Sequence, residues 1–184
     1  MKAVFLDRDG TINLEVDVLR HVKQLRLLPG AAQAIKRLNG LGFLVVVVTN
    51  QPVVARGWLT EKEVDHIHVT LAERLLKRGA KLNAIYYCPH HPNANLKKYR
   101  IKCRCRKPNI GMVRKAVREL SIDLRASWMV GDGGRDVAAG KKAGLQTILV
   151  KTGYGGKDID YGATPDFVAR DLGAAVAIIK QYAK

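Results

Sequence analysis

No part of this chain is apolar for long enough to cross a bilayer. The longest such run, LGFLVVVV, falls far short of the roughly 20 residues a membrane helix needs. Cysteine is scarce, with three in 184 residues. An odd number cannot pair completely, and Cys103 and Cys105 are too close for an easy disulfide, so a disulfide scaffold is excluded and reduced, metal-binding thiols fit better. There is no low-complexity tract, internal repeat or linker, and the length suits one domain, residues 1–184, with a sizeable core. The N-terminus runs straight into an apolar segment, leaving no room for a signal peptide, so a cytoplasmic protein is expected. Acids are the other shortage: 16 against 32 lysines and arginines, a net charge of +16. Such an excess fits a nucleic acid, a polyphosphorylated substrate, or only a soluble or heat-adapted surface.

The few acids are concentrated where structure should change. AVFL (residues 3–6) reads as a short buried strand that Gly10 ends, and FLDRDGTIN sets Asp7 and Asp9 at that junction. PGAAQAIKRLNGLG follows as a helix, with Pro29 near its start and Gly40 or Gly42 near its end. FLVVVV is too uniformly apolar for a half-exposed strand and suits a parallel sheet, stopping at a polar turn with Thr49 and Asn50. Thr60 and Glu63 are spaced as a capping box, after which Val64, Ile67, Leu71 and Leu75 recur at helical spacing. AIYY (84–87), SWMV (127–130) and TILV (147–150) read as further strands, GMVRKAVREL and GDGGRDVAAGKKAG as helices. The tail adds a short strand at DFVA and a helix from about Asp171 to Tyr182. This alternation predicts an α/β, Rossmann-like, doubly wound parallel sheet with helices on both faces.

In such a sheet the strand ends share one edge, where ligands bind. Asp7 and Asp9, Thr49 with Asn50, and Asp132 with Asp136 shortly after all fall at strand ends, and Lys107 precedes a helix. Mg²⁺ takes carboxylate and water oxygens and often shares them with a phosphate. Thr49 and Lys107 suit the phosphate oxygens, and the cation would offset the repulsion between a carboxylate nucleophile and an anionic ester. An EF-hand loop also begins DxDG, but it needs a glutamate at its twelfth position, where Val18 stands.

With DRDGT, VVVVTN, the lysine of CRKP and GDGGRD in that order, residues 1–155 resemble the haloacid dehalogenase (HAD) superfamily. TNQ-x-x-x-ARG, YYCPHHP and C-x-C-RKP narrow the resemblance to the D-glycero-D-manno-heptose 1,7-bisphosphate 7-phosphatases. The resemblance implies Asp7 as nucleophile, through an aspartyl-phosphate, and Asp9 as general acid and base. It implies Mg²⁺ on Asp7, the Asp9 backbone carbonyl and Asp132, with Asp136 supporting the metal or Lys107. Asn50, Gln51, Arg56 and Arg106 match positions expected to face the substrate. A carboxylate at Asp9 favours fast dephosphorylation, hence a phosphatase.

Cys88 and His90, with Cys103 and Cys105, form two close pairs that suit structural tetrahedral zinc, ordering a polar loop over 88–107. In the resembling family such a loop takes the place of a large cap domain. His90 occupies the C-x-H position; His91 reads as solvated or facing substrate, and His21, His66 and His68 as ordinary surface or helix residues. Trp58 and Trp128 read as packing groups, Trp58 near the mouth. KKYRIKCRCRK (97–107) holds seven cations, but only Tyr99 interrupts them, so no aromatic platform for stacking bases exists there. A basic rim guiding a doubly phosphorylated sugar to a monomeric enzyme, without membrane or nucleic-acid partners, is the expectation. Two rivals stand beside it: a histidinol-phosphate phosphatase, which an acidic group near the mouth would favour, and a nucleic-acid end phosphatase or zinc-loop nucleic-acid-binding protein. The loop EVDVLRH lacks the tyrosine that family members often carry, and Gly133 stands where many have a cation.

Overall fold

β1 (Ala3–Leu6) is central in a computed structural model that describes residues 1–158 and 161–182. With β2 (Leu44–Asn50), β3 (Ala84–Cys88), β4 (Trp128–Gly131), β5 (Gln146–Val150) and β6 (Phe167–Ala169) it forms a six-stranded sheet, order β3-β2-β1-β4-β5-β6. Every pairing is parallel. The chain winds outward from β1 to β3, then returns to β4 on the other side, so the winding reverses between β1 and β4. Ligands of open α/β sheets bind at such a switch point, outside the carboxyl ends of the strands. Asp7 follows β1 and Asp132 follows β4, and Asp7 N–H donates to the Val130 carbonyl at 3.0 Å, holding the two strand ends together.

The alternation of side chains along each strand sends apolar groups to two buried layers. Val4, Leu6, Val45, Val47 and Ile148 pack with α1 (Ala31–Gly40), α2 (Glu61–Leu76) and α5 (Leu172–Tyr182). Phe5, Val46, Val48 and Met129 pack on the other side with α3 (Gly111–Leu120) and with Ala143 at the end of α4 (Gly134–Ala143). Because both faces are covered, β2 reads as an unbroken apolar run. The predicted capping box forms, with Glu63 N–H donating to Thr60 Oγ1 at 3.2 Å and Thr60 N–H to Glu63 Oε2 at 2.7 Å.

Three strands, β2, β3 and β4, run past their predicted ends. Thr49 and Asn50 pair with Tyr87 and Cys88 and so belong to β2 rather than to a turn. Their polarity suggested a turn, but the neighbouring strand supplies the backbone partners that keep them extended. From Pro89 to Ile110 a 3-10 turn at Lys97–Tyr99 is the only regular element among the described residues, and no cap domain is inserted there. No helix among the described residues is long and apolar enough to cross a membrane.

Candidate active site

The sheet edge gathers the predicted acids. Oxygen atoms of Asp7, Asp132 and Asp136 lie within 4.8 Å of one another, and all three residues are buried. Lys107, 2 % exposed, closes the group: its Nζ is 2.9 Å from Asp7 Oδ1 and 2.6 Å from Asp136 Oδ1. Two glycines make room for this packing. A Cβ on Gly10 or Gly153 would stand 2.1 or 2.0 Å from Asp132 Oδ2, and both take positive φ, which a side chain would strain.

Crowding sets the electrostatics. Burial, then Asp7 and Asp136, push the Asp132 carboxyl up to about 8. Burial and Asp7 push Asp136 up to about 6, against the pull of Lys107. Burial disfavours the Lys107 ammonium, but Asp136 and Asp7 outweigh it and hold its pKa above the ordinary lysine range. Three carboxylates with one fixed cation remain short of positive charge, and their oxygen donors suit a hard divalent ion such as Mg²⁺. Lys107→Met should therefore destabilise the metal-free protein by roughly 3–5 kcal/mol, the cost of orphaning buried charges. Asp136 is already raised in the folded state, so it regains a proton on acidification and the loss should shrink from about pH 8 to pH 5. Urea melts at the two pH values test this; equal losses would show that the pair contributes packing alone.

Asp9 stands apart from the trio. Its carboxylate turns to Arg8, which the sequence reading did not single out although it is only 1 % exposed. Arg8 Nη2 donates to Asp9 Oδ2 at 2.7 Å and Nε to Oδ1 at 3.0 Å, while Asn13 Nδ2 donates to Oδ1 at 2.8 Å. Burial works to raise the Asp9 carboxyl, but Arg8, Asn13 and Gln51 together hold it below its ordinary value. The available signal was the middle residue of DRD: a charge placed directly after a buried strand, between two site acids, needs a partner.

The other predicted residues divide by what they touch. Thr49, Asn50, Gln51, Arg56 and Arg106 all line one cavity with Asp7, Asp9 and Asp132. Two of them have committed amides. Asn50 accepts from Lys107 N–H at 3.0 Å and donates to the Lys107 carbonyl at 3.1 Å, fixing the lysine's backbone. Gln51 Nε2 donates to Asp9 Oδ2 and to Thr49 Oγ1, both at 2.9 Å. Arg56 stacks on Trp58, 4.8 Å from the ring centre, and Arg20 stacks there too at 3.9 Å. Trp58 is thus an exposed ring that carries two guanidiniums, one of them the cavity-lining Arg56, whereas Trp128 is core.

Three further charged residues of the cavity wall escaped sequence reading: Glu15, Asp17 and Arg135. Burial and then Asp9 raise the Glu15 carboxyl to about 6. Arg135 is held by Asp158, Nη2 to Oδ2 at 3.2 Å. A Cβ at residue 133 would meet Asp158 at 2.6 Å, so Gly133 is the opening that lets Asp158 reach Arg135. His68 is a helix residue, on α2, but not an ordinary one: it is 5 % exposed, with its Nε2 3.0 Å from Arg8 Nη1. His21 and His66 are exposed as expected.

Cys88, His90, Cys103 and Cys105 converge, with ligand atoms within 4.8 Å. The sulfur–sulfur distances of 3.1 to 3.4 Å are far longer than a disulfide, and His90 Nδ1 is 3.4 Å from Cys105 Sγ. Hydrogen bonding from Cys88 holds the Cys105 thiol down to about 5, and Cys105 and burial push Cys88 far up. Such a set is compatible with zinc. His91 stays outside it, accepting from Asn93 N–H at 3.1 Å. Arg106 N–H donates to Cys103 Sγ at 3.4 Å and Arg106 Nη1 to the His90 carbonyl at 3.3 Å, which couples this cluster to the cavity wall. The loop is less polar in effect than it reads, because Ala94 and Tyr99 pack with Val53, Val54 and Val64.

Comparison with known proteins agrees with this architecture. A HAD-hydrolase-like family model matches residues 104–175. D-glycero-β-D-manno-heptose-1,7-bisphosphate 7-phosphatase of Pasteurella multocida is 42% identical over 83% of this chain and 83% of its own length. That of Escherichia coli K12 is 41% identical over 82% of this chain and 80% of its own. The Bordetella bronchiseptica D,D-heptose 1,7-bisphosphate phosphatase, solved with magnesium and phosphate, superposes with a TM-score of 0.87 at 36% identity, covering 98% of this chain and 99% of that one. The Burkholderia thailandensis enzyme of the same name superposes at 0.72 with 28% identity and the same coverage. A central Asp7–Asp132–Asp136–Lys107 group, a Cys/His loop in place of a cap, and likeness along most of the chain lead to one statement: the chain belongs to the D-glycero-β-D-manno-heptose-1,7-bisphosphate 7-phosphatase family of HAD-like phosphatases.

Proposed function

We propose that residues 1–184 act as one cytoplasmic, monomeric phosphatase domain that removes the 7-phosphate of D-glycero-β-D-manno-heptose 1,7-bisphosphate. The observation that carries the substrate reading is that three guanidiniums share the cavity with the site acids: Asp7, Asp9 and Asp132 line it together with Arg56, Arg106 and Arg135. A substrate with one phosphate for the metal-binding carboxylates and another anionic group for the guanidiniums matches this mixed lining, since planar guanidinium forks suit phosphate.

In this reading Asp7, the Asp9 backbone carbonyl and Asp132 would hold Mg²⁺, which would supply charge neutralisation at the phosphoryl oxygens. Asp7 attacks phosphorus as the ester P–O bond breaks, forming the aspartyl-phosphate, while Thr49 and Lys107 grip the phosphoryl oxygens. Asp9 protonates the departing alkoxide, then takes a proton from the water that releases inorganic phosphate and restores Asp7. Its low resting pKa is offset when a phosphate dianion arrives beside it, because a nearby like charge favours protonation. Asn50 and Gln51 serve by holding Lys107 and Asp9. Asp136 orients Lys107, and Cys88, His90, Cys103 and Cys105, which would hold a structural zinc, keep Arg106 in place through Cys103 and the His90 carbonyl.

A second reading has an observation of its own. Glu15 and Asp17 line the same cavity, and acidic groups at the mouth suit the cationic substrate of a histidinol-phosphate phosphatase. Phosphate release from both anomers of the heptose bisphosphate, histidinol phosphate and a 3′-phosphorylated oligonucleotide separates the readings. We expect kcat/KM for the β-anomer to exceed that for histidinol phosphate by at least about a hundredfold, since losing a well-paired anionic group costs several kcal/mol. Chelation with EDTA should stop all release. A preference for histidinol phosphate would reassign the substrate and keep the chemistry. Turnover of the oligonucleotide alone would make the basic surface a nucleic-acid footprint.

A further inference from the structure

We propose that His68 is a positioning residue for Asp9, acting through the guanidinium of Arg8. The inference rests on the assignment of Asp9 as proton donor and acceptor in the reading above.

Arg8 is a buried guanidinium with five N–H donors and no acceptor. One edge is taken by Asp9, through Nε and Nη2, and Nη2 also donates to Gln51 Oε1 at 3.1 Å. The other edge has Nη1, 3.0 Å from His68 Nε2. A guanidinium can only donate, so Nε2 is the acceptor, and the His68 proton resides on Nδ1. Burial and the Arg8 charge push the imidazole down to about 3, in keeping with a ring that stays neutral. The ring is itself held: its edge meets Tyr87, with centroids 5.2 Å apart at 60°.

His68 sits on the buried face of α2, between Val64 and Leu71, where an apolar residue would complete the helix stripe. A polar ring at that position is explained by Nη1. Without an acceptor there, a desolvated N–H would be orphaned, and the guanidinium would turn or shift to satisfy it. Asp9 would follow, because both its oxygens are bound to Arg8. The guanidinium holds the Asp9 side chain and not its backbone carbonyl, and Asp7, Lys107 and Asp132 have other partners, so nucleophile and metal site would remain in place.

Two substitutions test the role. His68→Leu keeps bulk and removes the acceptor; His68→Gln retains an acceptor oxygen near the position of Nε2. With the heptose bisphosphate, His68→Leu should lower kcat about ten- to a hundredfold, a part of what a proton-transfer group contributes, with KM within about twofold. His68→Gln should recover most of the loss. With p-nitrophenyl phosphate the leaving group departs as a stable anion and needs no proton. His68→Leu should then release about one equivalent of nitrophenolate per folded enzyme in a burst, followed by slow turnover as the aspartyl-phosphate waits for its base. Thermal melts give the folded fraction. An equal loss on both substrates with no burst, the same in Leu and Gln, would mean only a structural role and overturn the inference; so would an unchanged kcat in His68→Leu. Asp9→Asn separates this failure from that of the mechanism. If Asp9→Asn turns over normally, the proton-transfer assignment itself falls; if it is inactive while His68→Leu is not, the His68 inference alone is overturned.

Discussion

Asp7→Asn is expected to abolish phosphate release, with kcat falling by roughly four orders of magnitude or more, as for other covalent nucleophiles. Asparagine is nearly isosteric with aspartate, but its amide has no anionic oxygen to attack phosphorus. The architecture should tolerate the change. Lys107 keeps Asp136 at 2.6 Å, and the Arg8 N–H that donates to Asp7 Oδ1 at 2.7 Å still finds an amide oxygen. Asp7 also helps push Asp132 and Asp136 up, so neutralising residue 7 lets both carboxyls fall toward their ordinary range. A carboxyl raised in the folded state destabilises the protein as pH rises through the interval between its unfolded and folded values. Relieving that repulsion should leave metal-free Asp7→Asn at least as stable as the parent at neutral pH. An inactive protein with an equal or higher melting temperature is therefore the expected pair of results. Full turnover would remove Asp7 from the role of nucleophile.

The second large effect is expected at the Cys/His cluster. Cys105 contacts Cys88, Cys103 and His90, so Cys105→Ser takes a ligand that touches each of the other three. Structural zinc sites hold folding free energy directly, and loss of a metal is among the few single changes that cost more than about 4 kcal/mol. Here the loss should also reach catalysis. Arg106 is tied to Cys103 and to the His90 carbonyl, and Lys107 is the next residue. We expect purified protein to hold about one zinc per chain by elemental analysis, and Cys105→Ser to lose zinc, melting temperature and activity together. Only Ala94 and Tyr99 of the loop would keep an apolar anchor against Val53 and Val54. A zinc-free parent with full activity and an unchanged melting curve would sink the assignment.

The two substitutions divide the molecule in a way that reflects how it is encoded. The alternation of strands and helices, the Thr60–Glu63 cap and the order of the four motifs are written in local periodicity and spacing. Parallel winding then brings Asp7, Thr49, Lys107 and Asp132 to one edge without further information. The convergence of Cys88, His90, Cys103 and Cys105 was likewise legible, since one C-x-H pair and one C-x-C pair carry metal-binding chemistry in residue type.

The partners of Arg8 were decided only in three dimensions. They lie 43 residues away at Gln51 and 60 away at His68, and a buried guanidinium accepts whichever acceptors the packing supplies. The same is true of Asn50, whose amide closes on the Lys107 backbone 57 residues on. Glu15, Asp17 and Arg135 joined the cavity through loop paths that no periodicity describes, and Gly133 became intelligible only once Asp158 was seen to occupy its space. Sequence determined by itself which chemistry this protein carries, because that depends on residue type and strand order. Tertiary structure decided how each charge is held, because a hydrogen bond depends on a few tenths of an ångström between groups that the chain keeps far apart.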